Sequence, residues 1–136
     1  MQAAALTTPS GGGPRVLAHP SRDEIRLEDV LHALADPVRL GIVRVLADAE
    51  GECSCSVFDA PVSKSTLTHH FRVLREHGVI TQTYRGTAKM NALRREDLAD
   101  RFPGLLDTVL AAARRQAAAG PDAGAGTAAA AATSAS

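Results

Sequence analysis

The chain has no tryptophan, one tyrosine and three phenylalanines. A core for its 136 residues must then be built from Leu, Val, Ile and Ala, which suits packed helices, and a mostly-α fold is expected. No apolar run approaches the ~18 residues of a membrane span, and the N-terminus lacks a basic segment followed by an apolar one. A cytoplasmic protein with no membrane contact is expected. The two cysteines, Cys53 and Cys55, lie too close in sequence to staple a fold, and a reducing compartment keeps them as thiols. Net charge is absent as well, with 15 basic residues against 15 acidic ones, so only the distribution of charge can point to a polyanionic partner. There is no Gly-rich phosphate loop, no paired carboxylates in an apolar setting and no nucleophile with a base and an orienting acid, so the chain is not expected to be an enzyme.

What is present is organised from the middle outwards. Residues 1–21 and the Ala-rich residues 120–136 have the composition of a disordered arm and a disordered tail, which leaves one folded domain over residues 22–119. Leu27, Val30, Leu31 and Leu34 make the stripe of an amphipathic helix. Asp36 is a good N-cap and Pro37 a favoured first helical residue, with Val38, Ile42, Val45 and Leu46 as the next stripe. Cys53 to Phe58 has room for one or two helical turns before Asp59-Ala60-Pro61 ends it. Ser63 caps a helix that runs to His77, with Val62 and Leu67 placed as a hydrophobic staple and Gly78 as its C-terminal glycine. Ile80 to Arg85 and Ala88 to Leu93 read as the strands of a small β-hairpin turning through Gly86. A last helical region from Glu96, broken at Pro103, carries Leu98, Phe102, Leu105, Leu106, Val109, Leu110 and Ala113 on a side larger than one small domain needs for itself.

On a helical wheel, Leu67, His70, Phe71 and Leu74 share one face of the segment from Ser63 to His77. Ser65, Thr68, His69 and Arg72 share the other, with Lys64 and Arg75 at its border. Short hydrogen-bonding side chains with one long cation let a helix lie close in a major groove and reach base edges. Between Val62 and Arg95 seven cations stand against the single acid Glu76, an electrostatic footprint for phosphates in a chain that is neutral as a whole. Base readout is expected from Ser65, Thr68, His69 and Arg72, with Ser63 and Thr66 at the helix start, and phosphate contacts from Lys64, Arg75, Arg85 and Lys89 of the helix and hairpin. The bland reading of the same residues is a solvated amphipathic helix beside a surface hairpin.

Ala33-Leu34-Ala35-Asp36-Pro37-Val38-Arg39-Leu40, followed by the run from Ser63 to Ile80 with its Ser-Lys-Ser-Thr-Leu-Thr-His-His-Phe-Arg start, resembles the ArsR/SmtB family of winged helix-turn-helix repressors over Leu27 to about Leu110. The resemblance implies a helix-turn-helix made by Cys53–Phe58 and Ser63–His77, a wing centred on Gly86, and a homodimer built from the first and last helices. It implies a transcriptional regulator, a repressor, that binds double-stranded DNA at an inverted-repeat operator. Leu27, Leu31, Leu105, Leu106, Val109 and Leu110 are the expected dimer contacts. The competing reading is a winged-helix protein-interaction module that does not bind DNA.

Some family members carry a Cys-x-Cys ahead of the recognition helix, and Cys53-Ser54-Cys55 falls in about that place. Thiolates are soft ligands for a thiophilic metal or metalloid effector. A trigonal thiolate site lacks its third sulfur here, so Glu52, His32 or the second subunit would have to complete it. Plain packing and thiol redox sensing are the other readings of the pair. The family's alternative sensor uses Asp and His on the last helix, and Glu96 to Ala119 contains no His.

Overall fold

The computed structural model describes residues 15–49, 51–54, 58 and 62–120. The expected disorder of residues 1–14 and 121–136, and the helical turn expected at residues 55–57, lie outside them. The chain falls into two compact units, one ending at Asp97 and the other beginning at Leu98. The described elements are β1 (Arg15–Val16), a single 3-10 turn at Arg22–Glu24, α1 (Leu27–Leu34), α2 (Pro37–Asp48), β2 (Cys53–Ser54), α3 (Lys64–Glu76), β3 (Ile80–Arg85), β4 (Ala88–Leu93), α4 (Arg95–Arg101) and α5 (Leu105–Ala118).

The first unit is three helices and an antiparallel sheet in the order β1-β3-β4-β2. α1 buries Val30, Ala33 and Leu34. α2 starts where Asp36 accepts the backbone N–H groups of Val38 and Arg39, with Pro37 first in the helix. Its buried face is Arg39, Ile42, Val43 and Leu46, and Val45 of the predicted stripe is exposed. Arg39 belongs on that face because its guanidinium is bonded throughout: Nε to the Ala33 carbonyl at 2.8 Å, Nη2 to the His32 carbonyl at 3.3 Å, and Nη1 to His70 Nδ1 at 3.1 Å. A guanidinium can only donate, so Nδ1 of His70 accepts, and α1, α2 and α3 are joined at one buried point.

β3 and β4 pair from Ile80 opposite Leu93 to Arg85 opposite Ala88, which leaves the two-residue turn Gly86-Thr87. Gly86 has φ 64°, the left-handed conformation such a hairpin requires. Gly78 (φ 85°) joins α3 to β3, and a Cβ there would lie 2.6 Å from the buried Ile25 side chain. Only glycine fits the junction.

Two expectations are corrected. Cys53 does not start a helix; Cys53–Ser54 is a short strand paired with Asn91 and Met90 of β4, and the described residues between Asp48 and Lys64 include no helix. The pairing wins because the free edge of β4 offers the extended backbone partners that one short turn of helix would leave unsatisfied. The residues just before Arg22 are also ordered against the sheet: Arg15–Val16 pairs with β3, and the Leu17 N–H donates to the Gln82 carbonyl at 3.2 Å. In the second unit α5 follows Gly104 (φ 81°) and buries Leu110 and Ala113.

Candidate nucleic-acid interface

The start of α3 is built by hydroxyls. Ser63 Oγ accepts the Thr66 N–H at 3.2 Å and bonds Thr66 Oγ1 at 2.9 Å and Ser65 Oγ at 3.2 Å. Ser63 and Thr66 therefore work in the cap, and Thr68 Oγ1 donates to the Lys64 carbonyl at 3.0 Å, leaving its lone pairs and methyl outward. Lys64, Ser65, Thr68, His69 and Arg72 are all exposed, while His70, Phe71 and Leu74 are buried on the opposite side. The exposed face is polar, short-chained and ends in one long cation, as a helix lying in a major groove requires.

The cations divide sharply. The side chains of Lys64 and Arg72 make no hydrogen bond or ion pair among the described residues. Lys89 lies 5.5 Å from the centre of the Tyr84 ring, and Arg15 of β1, in register with Tyr84, lies 4.9 Å from it. Arg85, by contrast, is held by Glu52 through two bonds of 2.5 and 2.9 Å. That hydrogen bond, helped by the arginine's charge, keeps the Glu52 carboxyl below its usual range. Arg75 turns inward: Nη1 donates to Gln82 Oε1 at 2.7 Å, Nη2 lies 3.9 Å from Glu76, and the side chain is only 15% exposed. Arg94 bonds Asp97 and the Pro20 carbonyl, and Arg95 covers the carbonyls of Leu46, Ala47 and Ala49 at the end of α2. Of the seven cations counted from Val62 to Arg95, three, Lys64, Arg72 and Lys89, have no ion pair or side-chain hydrogen bond among the described residues.

Behind α3, the Asp36 carboxylate sits 3.9 Å from His70 Nδ1. Burial works to raise its pKa, but the Arg39 N–H, the nearby His70 and the Val38 N–H outweigh it and hold the carboxyl below its usual range. Cys53 is half-buried on β2, and Cys55 lies outside the described residues. No group of three His, Cys, Asp or Glu side chains among the described residues is arranged to hold a metal ion. Of the expected dimer contacts, Leu27 and Leu31 are exposed on α1, at 44% and 45%. Leu105, Leu106 and Val109 are half-buried, and Leu110 is buried within its own chain.

The sequence reasoning missed Arg15, His19, Gln82 and Asn91, and it named Glu52 only as a metal ligand to complete a cysteine site and not as the partner of Arg85. Gln82 and Asn91 carry a signal, since two carboxamides stand at facing positions of the predicted hairpin with Ile80 two residues before one of them. The others depend on tertiary contacts that no local pattern announces.

A short polar helix face backed by a three-helix core and flanked by a basic β-hairpin defines a winged helix-turn-helix. The helix-turn-helix domain family matches residues 34–83, from the end of α1 into β3. The chain is 33% identical over 91 residues to the uncharacterized HTH-type transcriptional regulator YceK of Bacillus subtilis, covering 65% of this chain and 90% of that one. It is 30% identical over 60 residues to the uncharacterized HTH-type transcriptional regulator MJ1325 of Methanocaldococcus jannaschii, covering 43% and 67%. Among solved structures it is similar to an ArsR-like transcriptional regulator from Rhodococcus sp. RHA1, at 24% identity and a TM-score of 0.49, covering 68% and 88%. The chain belongs to the HTH-type transcriptional regulators, and it is a DNA-binding regulator. No helix among its described residues is long and apolar enough to cross a membrane.

Proposed function

We propose that the chain represses transcription as a homodimer that occupies an inverted-repeat operator, reading base edges with Ser65, Thr68, His69 and Arg72 of α3. The observation that carries this reading is the outward face of α3, where polar side chains stand exposed and Lys64 and Arg72 are unpaired beside a capped helix start. Lys64, Lys89 and Arg15 are the phosphate contacts, the last two flanking Tyr84 on the wing. Ser63 and Thr66 hold the helix start in shape rather than reaching bases.

Each compact unit has an apolar stripe of its own to cover, Leu27 and Leu31 in the first and Leu105, Leu106 and Val109 in the second. A two-fold dimer covers such stripes with copies of themselves. The motif resemblance to ArsR/SmtB repressors supports repression by occupancy.

Selection of duplexes from a random-sequence pool tests the reading. The expected product is an imperfect inverted repeat with half-sites about 34–36 Å apart, bound by a species of twice the chain mass in light scattering. Enrichment of a single undivided site by a monomer would refute the dimer, and no enrichment would refute base readout.

A further inference from the structure

Gln82 of β3 and Asn91 of β4 face each other in register in the middle of the sheet, and Asn91 in turn faces Cys53 of β2. The two carboxamide residues are 1% and 0% exposed. Gln82 Nε2 donates to Asn91 Oδ1 at 2.8 Å, and Asn91 Nδ2 donates to the Cys53 carbonyl at 3.1 Å. At the other end Gln82 Oε1 accepts Arg75 Nη1 at 2.7 Å. A guanidinium can only donate and a backbone carbonyl can only accept, so the two ends of this chain fix the orientation of both amides between them. The Gln82 backbone N–H adds a bond to His19 Nε2 at 2.8 Å. One buried line of hydrogen bonds thus runs from β2 across β4 and β3 to the recognition helix.

An apolar pair would pack the middle of this sheet without specifying any direction. Carboxamides specify one, because each bond has a fixed donor, acceptor and angle. The direction matters because of where the line ends. Arg75 sits in the last turn of α3, eleven residues and about 16 Å along the axis from Lys64. A helix joined to the sheet at that end only through Gly78, and so free to swing by about 10°, would move its first turn by roughly 3 Å, whereas base contacts need placement to within about 0.5 Å. Arg75 is also poorly placed to meet phosphate, with 15% of its side chain exposed and Glu76 3.9 Å from Nη2.

We propose that Arg75 is a positioning residue: bonded to the buried Gln82–Asn91 pair, it sets the tilt of α3 against the wing and does not itself contact DNA. The proposal rests on α3 being the reading helix, as argued above.

The experiment measures binding to two duplexes of equal length across a salt series: the one the wild type enriches most from a random pool, and a scrambled version of it. Arg75→Met, Gln82→Met and the double variant are compared with the wild type, with thermal melting alongside. Arg75→Met and Gln82→Met are each expected to cut the preference for the enriched duplex by about tenfold while leaving scrambled-duplex affinity and the salt slope as in the wild type. The double variant should lose no more than either single, since the residues act as one unit.

If Arg75→Met weakens both duplexes alike and lowers the salt slope by about one, Arg75 is a phosphate contact and the proposal fails. If Gln82→Met does not fold, Arg75→Met decides by the same criterion, because it removes a side chain from the helix rim and leaves the amide pair in place. A wild type that discriminates while both variants match it overturns the tether alone. A wild type that enriches no duplex overturns the DNA-reading assignment of α3 and the tether with it.

Discussion

The first turns of α3 and the wing are similar in cation content and opposite in how the fold treats those cations. On α3, the Lys64 and Arg72 side chains project from a helix whose start is held by the Ser63 and Thr66 hydroxyls, and no carboxylate of the described residues pairs with them. On the wing, Arg85 is already bonded to Glu52 and Lys89 rests against Tyr84. A cation that must first leave a partner gives less on meeting phosphate than one that is free, because the lost pair is subtracted from the new one. The helix is therefore the ready half of the proposed interface and the wing the adjustable half.

Breaking the ready half should have the largest effect. Arg72→Ala is expected to cost about 1–3 kcal/mol on the selected duplex and to relax preference at one base pair of each half-site. Lys89→Ala should instead weaken enriched and scrambled duplexes alike and lower the salt slope by about one. Equilibrium binding of both variants at several salt concentrations separates these outcomes. Equal behaviour of the two would erase the distinction between helix and wing.

The same contrast shows which features the sequence reveals and which it withholds. The limits of α2 and α3 follow from Asp36, Pro37, Ser63 and Gly78, residues whose caps and left-handed turn are settled within a few positions along the chain. The hairpin is legible for the same reason, through Gly86 and the strand-forming residues beside it. Pairing of charges is not local. Glu52 lies 33 positions from Arg85, so counting the cations of residues 62–95 overstates those at hand for DNA. Val45 was expected to be buried and Val43 is buried instead, because Arg39, with its guanidinium satisfied by two carbonyls and His70, turns that face of α2 inward. Two-residue strands such as Cys53–Ser54 and Arg15–Val16 are too short to show any periodicity, and their structure comes from the open edges of the hairpin. The exposure of Ser65, Thr68, His69 and Arg72 on α3 was legible, and the inward turn of Arg75 and the polar line behind it were not.

The adjustable half can be sharpened at Glu52. Its carboxylate competes with phosphate for Arg85, and the pair is half open to solvent, so the competition is weak. Glu52→Gln keeps the shape and removes the charge. Affinity for any duplex should rise by roughly twofold to fivefold at low salt, and the salt slope should steepen by about one as Arg85 joins the phosphate contacts. An unchanged slope would mean that Arg85 faces away from DNA in the complex.

The smallest effect expected concerns pH and the strand that widens the wing. β1 brings Arg15 beside Tyr84, and it is followed by His19, whose Nε2 accepts the Gln82 N–H at 2.8 Å. An accepting Nε2 must be unprotonated, so a proton there breaks this bond and sets an N–H against an N–H. Burial is the first cause of the lowered His19 pKa; a hydrogen bond with the Leu17 backbone opposes it, and the charges of Arg94 and Arg75 add to the lowering. The docked segment thus takes up its proton at lower pH than the released one, for which about 6.5 is the ordinary value. Docking is favoured fully above that value and is weakened as pH falls from it through the lower pKa of the docked state, since only the released segment binds the proton in that window. Hydrogen exchange at the Leu17 amide, which donates to the Gln82 carbonyl, reads the docking directly. After correction for intrinsic rates, its protection should begin to fall in the wild type as the pH is lowered past about 6.5, and fall further as the docked imidazole takes up its proton. In His19→Ala it should be low and independent of pH. Protection that is constant with pH in the wild type would show that the strand is held by its sheet pairing alone, and the wing would then keep Arg15 under all conditions.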